Sequence, residues 1–236
     1  MNVLVIGDEH TYGYGLPEGK LSYLGHFIRQ ISQTGQKVSV EAYAHLTLPQ
    51  LSSLLAQLPL TRYDLIILQF NQDLLQSIGN PASGSTVFAT PTLPYSLTTS
   101  GSTGRLSLWQ RLKPIGMTLF SAIWPPYIGK KITALLKQLR SYRHNVLVVT
   151  PLPHQNWING WLRKRSRAIL LKEADKQLFS VFDTDTVIQP REEYFQASSH
   201  DHLNAVSHEL LGRELFDFYQ SAPTIITIQA IRREQE

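Results

Sequence analysis

The chain has 236 residues, of which 42% are hydrophobic and 17% charged, and 22 Lys and Arg against 18 Asp and Glu give a net charge of +4. A chain of this length buries a sizeable core without disulfides or metal. Because it contains no cysteine, a disulfide framework, a thiolate zinc site and a cysteine nucleophile are all excluded.

The sequence shows no secretion signal and no membrane span. Its first residues, MNVLVIGDEH, have no basic region followed by a long apolar one. No stretch reaches the about 18 consecutive apolar residues that a spanning helix needs. We therefore expect a cytoplasmic protein without a membrane span.

The alternation of short apolar runs with segments of helical period predicts a fold of mixed strands and helices. The predicted elements in chain order are a strand at 3–6, a helix at 23–34, a strand at 38–42, a helix at 51–58, a strand at 65–70, a helix at 132–141, a strand at 146–150, a helix at 157–177, a strand at 179–182 and a helix at 204–219. Strands separated by helices indicate a central parallel sheet in a three-layer α/β/α domain. We expect a single domain over residues 1–221.

Two segments interrupt this pattern. Residues from about 79 to 127 are rich in Ser, Thr, Gly and Pro, which predicts an insertion that binds ligand or covers the crevice. Its aromatic residues Trp109, Trp124 and Tyr127 either line a pocket or anchor the insertion to the core. The tail, 222–236, adds an edge strand or contacts a partner.

Basic residues are concentrated in one segment of the second half of the chain. Its members are Arg163, Lys164, Arg165, Arg167 and Lys172. They accompany apolar residues in a helical pattern, which favours a solvated helix face over a nucleic-acid-binding surface. We therefore expect no nucleic-acid partner.

The first strand leads into the sequence GDEHTYGYGLP, residues 7–17. This segment resembles the first block of the SGNH, or GDSL, hydrolase superfamily, whose usual form reads GDSxTxGxG. The family has its nucleophilic serine third in this block, where this chain has Glu9. Thr11, Gly13 and Gly15 match the family pattern, and Asp8 is expected to cap its own loop.

Three later segments resemble further blocks of the family. Residues 64–73 look like the third block, and this alignment puts Asn71 at the glycine position and Asp73 at the oxyanion-hole asparagine. A slip of two residues would instead give Asn71 the asparagine role. Aligning the second block on Thr47 puts His45 at the oxyanion-hole glycine.

Residues 202–208 resemble the last block, in which His202 aligns with the catalytic histidine. Ser199 stands at the position of the family's aspartate and Ser207 at that of a glycine. The neighbouring Asp201 is a candidate for the missing orienting acid, with a solvent-facing role as the alternative. Asn204 is expected to cap the last helix.

The resemblance implies a flavodoxin-like SGNH-hydrolase fold and a hydrolase that acts on esters, acyl groups or acetylated carbohydrate. Glu9 lacks a hydroxyl, and Asp73 would replace an amide donor with an acceptor, so both oppose serine-esterase chemistry. The leading hypothesis is a pseudoenzyme that binds an ester, acyl or carbohydrate ligand. The alternative is an active hydrolase that uses Glu9 with His202, and Asp73 is a further candidate catalytic residue.

The candidate site has further members and alternative roles. His45, Asn71, His10 and Asp201 are candidate ligand-binding residues, with packing against the sheet as the alternative for His10. Glu9, His45, Asp73 and His202 also form a set of ligands suited to zinc, manganese or iron, although they lack the spacing of a known metal motif. Glu9 could instead pair ionically with His202 without turnover. His154 follows the Pro-Leu-Pro loop and could approach the crevice, but a lone loop histidine is more often at the surface, which is the position we expect. No cofactor is otherwise expected, and the oligomeric state is left open.

Overall fold

The centre of the protein is a parallel β-sheet. The computed structural model describes residues 1–44, 46–70, 125–155, 157–197 and 199–221. Within these ranges the sheet has five strands: β1 (Asn2–Gly7), β2 (Ser39–Ala44), β3 (Leu65–Gln69), β4 (Val146–Val149) and β5 (Ser180–Phe182). Their order is β2-β1-β3-β4-β5, and each neighbouring pair is parallel. This is the strand order of flavodoxin-like folds.

Helices cover both faces of the sheet. The described helices are α1 (Glu9–Tyr12), α2 (Tyr23–Gln33), α3 (Leu48–Gln57), α4 (Pro125–Leu139), α5 (Trp157–Lys176) and α6 (Ala205–Ser221). Side chains alternate across a strand, so Val3 and Val5 of β1 join a core with α2 and α6, whereas Leu4 and Ile6 join another with α3, α4 and α5. The predicted three-layer α/β/α architecture is confirmed.

The predicted elements are all present in the described residues. The largest difference in position is at α4, which begins at Pro125 instead of residue 132. The elements that were not predicted are all short, and they include the helix α1 and an antiparallel hairpin of β6 (Phe195–Gln196) and β7 (Ser199–Leu203). Strands and helices this short carry too few residues for their periodicity to be visible.

Two predicted segments fall mostly beyond the part of the chain that the structure describes. Of the insertion at 79–127, the last three residues belong to the first turn of α4, and the remainder, with Trp109 and Trp124, lies outside the described residues. The tail at 222–236 also lies outside them. The domain boundary at residue 221 therefore stays a prediction. Among the described helices, none is long and apolar enough to cross a bilayer.

Helices α2 and α6 pack closely because α6 has a glycine at the contact. A Cβ added to Gly212 would lie 2.6 Å from the carbonyl O of Tyr23 and 2.5 Å from Cβ of His26. Neither atom is the end of a flexible side chain, so a larger residue would push the helices apart. The contact sets the position of α2, whose first residue supports the site described below.

We expect Gly212→Ala to lower the free energy of unfolding by about 1–3 kcal/mol, because the added methyl group overpacks the α2–α6 contact. Gly129→Ala in α4 is the matched control, since its Cβ would meet its nearest neighbour, Ile169 Cγ2, at 3.8 Å. That control should raise stability by up to about 1 kcal/mol through helix propensity. Urea unfolding measures both variants, and equal effects would contradict this view of the interface.

Candidate functional site

The carboxyl end of β1 turns directly into α1, and Asp8 shapes this turn. Asp8 Oδ1 accepts hydrogen bonds from the backbone N–H groups of His10, at 3.0 Å, and Thr11, at 3.1 Å. The Asp8 N–H in turn donates to Thr11 Oγ1 at 3.1 Å, which completes a capping box. A Cβ at Gly7 would overlap the Thr11 hydroxyl, so this sequence position requires glycine. The predicted capping role of Asp8 is confirmed.

A buried polar network joins this turn to β3 and α2. Gln69, the last residue of β3, donates from Nε2 to Asp8 Oδ2 at 3.0 Å. The hydroxyls of Thr11 and Tyr23 both donate to Gln69 Oε1. Burial and the Asp8 charge raise the pKa of Tyr23 well above its usual value. The network fixes two strand ends and one helix start around a single carboxylate.

Glu9 is the first residue of α1 and lies half-buried at the carboxyl edge of the sheet. Its backbone carbonyl accepts from the Tyr14 N–H at 2.8 Å, which closes the loop behind it. No contact within the described ranges tests whether its carboxylate pairs with His202. The Glu9–His202 ion pair therefore stays a hypothesis.

Four histidines meet beside Glu9, and we call them the histidine cluster: His10, His154, His202 and His208. The His10 ring is central, with its centroid 5.6 Å from that of His202, 6.3 Å from that of His154 and 6.5 Å from that of His208. The four residues come from α1, the loop after β4, β7 and α6. The fold thus brings together side chains that are up to 198 positions apart in the sequence.

His202 is positioned by the hairpin and by the loop after α1. Gln196 Nε2 donates to the Leu203 carbonyl at 3.1 Å, which ties β6 to β7. Gly15 has φ +79°, a conformation that favours glycine, and its Cβ would lie 3.3 Å from His202 Cδ2. The Tyr14 ring centroid is 5.7 Å from that of His202. His202 therefore lies on a strand and against the Gly-rich loop of the first block.

His208 is the most deeply buried member of the cluster and was not singled out from the sequence. Its Nδ1 accepts the backbone N–H of Tyr23 at 3.1 Å, and its ring stacks on the Tyr23 ring. In the neutral form the proton is therefore on Nε2. Burial, aided by His10, lowers the pKa of His208 to about 3. The preceding Asn204 caps α6 through the Ser207 N–H at 2.9 Å, as predicted.

His154 lies in a loop that a set of ion pairs holds in place. Arg163 Nε donates to the Pro151 carbonyl at 2.9 Å, and its guanidinium pairs with Asp185. Arg167 pairs with both Asp183 and Asp185. Burial lowers the pKa of Arg163 to about 10.

Two sequence expectations are wrong at this loop. The ring of His154 approaches that of His10 and its Nδ1 is buried, so the residue is not a surface histidine. Arg163, only 2% exposed, does not belong to a solvated helix face, although Lys164 and Lys172 do. Neither contact is visible in the sequence, because each depends on how α1, α5 and the loops after β4 and β5 are packed.

Several candidate residues cannot be placed around Glu9. His45, Asn71 and Asp73 lie outside the described residues, as does the side chain of Asp201. Among the described residues, no group of three or more histidines and carboxylates has an arrangement that could hold a metal ion. Because two of the four proposed metal ligands are not described, the metal site stays a hypothesis, as do the roles of Asn71, Asp73 and Asp201.

The protein is similar to known proteins in its structure but not detectably in its sequence. No family model and no curated protein matches the sequence. Solved structures do match it. A family 3 carbohydrate esterase from Clostridium thermocellum shares 13% identity and a TM-score of 0.60, with 98% of each chain covered.

Two further solved structures have the same fold. A lipase/acylhydrolase from Enterococcus faecalis shares 15% identity and a TM-score of 0.56, covering 93% of this chain and 96% of its own. A member of the lipolytic protein G-D-S-L family from Veillonella parvula shares 12% identity and a TM-score of 0.55, covering 94% of this chain and 99% of its own. The chain has the fold of the SGNH/GDSL hydrolases, as the sequence motifs predicted.

The buried His208 makes stability depend on pH. Its native pKa is about 3, whereas an unfolded histidine titrates near 6.5. Between these values the unfolded chain binds a proton that the native protein does not, so stability falls as the pH decreases from about 6.5 towards 3. We expect His208 to contribute up to about 1.4 kcal/mol per pH unit to this slope.

His208→Gln tests this expectation because an amide oxygen can still accept the Tyr23 N–H while the side chain no longer titrates. Urea unfolding between pH 4.5 and 7.5 should show a shallower pH dependence for this variant than for the wild type. The control is His144→Gln at an exposed position, which should keep the wild-type slope. Identical slopes for all three proteins would contradict the assignment to His208.

Proposed function

We propose that this protein binds an ester, acyl or carbohydrate ligand at the carboxyl edge of its sheet and does not carry out serine-esterase chemistry. The observation that carries the proposal is the position of Glu9. It follows Gly7 and Asp8 at the end of β1, where the first block of the SGNH family has its nucleophilic serine.

The chemistry of acyl transfer explains why this residue matters. An acyl-enzyme intermediate forms when a hydroxyl loses its proton to a base and attacks the carbonyl carbon. Glu9 has no hydroxyl, and its negative charge would oppose the oxyanion that develops beside it. The hydroxyl of Thr11 is buried and bonded to Asp8 and Gln69, so it is held away from any ligand. Neither Glu9 nor Thr11 therefore offers a hydroxyl that His202 could activate.

The ligand class is proposed from the fold and from the chemistry of the edge. Two of the similar structures are described as a carbohydrate esterase and a lipase/acylhydrolase. In this chain, the exposed Tyr14 ring lies beside His202, and Glu9 supplies acceptors for hydroxyl groups. An aromatic ring next to polar groups suits a sugar ring or the polar end of an acyl chain.

We expect wild-type protein to hydrolyse p-nitrophenyl acetate no faster than Glu9→Ala, because neither side chain is a hydroxyl nucleophile. Glu9→Ser should gain turnover that depends on His202, measured as release of p-nitrophenolate. Imidazole groups attack activated esters weakly, so His144→Ala, which removes an exposed histidine outside the cluster, sets the background.

The outcome that overturns the proposal is wild-type turnover that disappears in His202→Ala but not in His144→Ala. That result would support the alternative of an active hydrolase that uses Glu9 with His202. Circular dichroism and unfolding curves must first show that all variants are folded.

Binding is tested directly by calorimetry with two probes, decanoate and acetylated xylotriose. At least one should bind, and His202→Ala or Tyr14→Ala should weaken that binding by about tenfold through loss of a direct contact. The control His144→Ala should bind like the wild type. Failure of both probes to bind would count against the proposed ligand class.

A metal-dependent hydrolase is the competing class, and metal analysis separates it from the binding protein. A site with four protein ligands retains stoichiometric metal through purification. We expect the purified protein to hold well below one equivalent of zinc, manganese or iron, with no change in Glu9→Ala. One equivalent that is lost in Glu9→Ala, measured by mass spectrometry, would favour the metal-dependent class instead.

A further inference from the structure

The layer of α4 and α5 has a strongly basic outer face. The two helices are neighbours, since Thr133 Oγ1 donates to Glu173 Oε2 at 2.8 Å and Gly129 lies against Ile169. The exposed basic residues of these helices and of the turn after α4 are Lys130, Lys137, Arg140, Lys164, Lys172 and Lys176. Asp175 is the one exposed acidic residue in the same part of the described chain.

The opposite layer of the molecule is nearly balanced in charge. On α2 and α6 the exposed charged residues are Arg29, Glu209, Arg213, Glu214 and Asp217. Among the described helices, the exposed positive charge is therefore concentrated on the α4–α5 layer. Electrostatic attraction would therefore orient a flat anionic partner towards the α4–α5 layer.

One end of the basic face also presents an aromatic ring. Trp161 on α5 is 48% exposed, and the Arg165 guanidinium lies 5.5 Å from its ring centroid. Trp161, Lys164, Ala168 and Lys172 recur at helical spacing, so they share one stripe along α5. A tryptophan flanked by long cationic side chains is typical of the interface between water and lipid, where the indole enters the headgroup region.

We propose that the outer face of α4 and α5 docks on an anionic lipid bilayer, with Trp161 inserted among the headgroups. This surface function is independent of the ligand proposed for the histidine cluster. The attraction comes from several lysines near a negative surface, each of which strengthens binding by about fivefold. The protein lies on the bilayer in this arrangement and does not cross it.

The composition of the face favours lipid over nucleic acid. Arginine is the usual residue for bidentate contacts with nucleic-acid phosphates. Here the exposed cations are mostly lysines, whereas Arg163 and Arg167 are occupied by Asp183 and Asp185. Arg165 lies over the Trp161 ring. A diffuse lysine surface with Trp161 as an exposed aromatic anchor matches the bilayer better.

Co-sedimentation with phosphatidylcholine vesicles, with and without about one third phosphatidylglycerol, tests the proposal. Wild-type protein should bind the anionic vesicles and be released by high salt. Lys164→Gln with Lys172→Gln should weaken binding by about 25-fold. Arg29→Gln with Arg213→Gln removes the same charge from the opposite layer and should change binding less than about threefold.

The two double variants decide between a defined face and a general effect of net charge. Equal losses in both would overturn the proposal, as would the absence of wild-type binding to anionic vesicles at low salt. Tighter binding to a single-stranded oligodeoxynucleotide than to vesicles would overturn it in favour of nucleic acid. The vesicle-induced blue shift of tryptophan emission should shrink in Trp161→Phe, and an unchanged shift would contradict insertion of this residue.

Discussion

The arrangement of the whole site depends on one buried carboxylate. Asp8 accepts two backbone N–H groups of α1 and the amide of Gln69 from β3, and Gln69 in turn binds the hydroxyl of Tyr23 at the start of α2. A buried charge is tolerated when its acceptor positions are filled by donors. These donors come from α1 and β3, and Gln69 links them to α2. The network therefore fixes the direction of the chain at the end of β1, where Glu9 and His10 follow.

From this turn the site is built by side chains of opposite character. Glu9 is a half-buried carboxylate at the sheet edge, whereas the histidine cluster combines the buried rings of His10 and His208 with the partly exposed rings of His154 and His202. His208 illustrates the consequence, since burial lowers its pKa and its Nδ1 accepts the first N–H of α2. Such a group serves as a fixed, neutral hydrogen-bonding element. A fixed, neutral group of this kind agrees with the polar ligand proposed above.

The sequence predicts the architecture well because apolar periodicity and the Gly-Asp motif act locally. The five strands, the capping role of Asp8 and the cap at Asn204 depend on neighbours within a few residues. His208 and Gln69 were missed and His154 was expected at the surface for the opposite reason, since each acquires its role from contacts with distant elements. Arg163 was assigned to a solvated face because a buried arginine needs a partner. Its partner, Asp185, is 22 positions away in the sequence and reaches Arg163 only in the folded protein.

The sheet divides the interior into two cores, which share the strands but not their side chains. Val5 packs in one core and its neighbour Leu4 packs in the other. Two substitutions that are far apart and share no contacts usually have additive effects on the free energy of unfolding. Each helical layer can accordingly accumulate changes without requiring compensation in the other. A substitution on the outer face of α4 or α5 is thus expected to leave the packing beneath the histidine cluster unchanged.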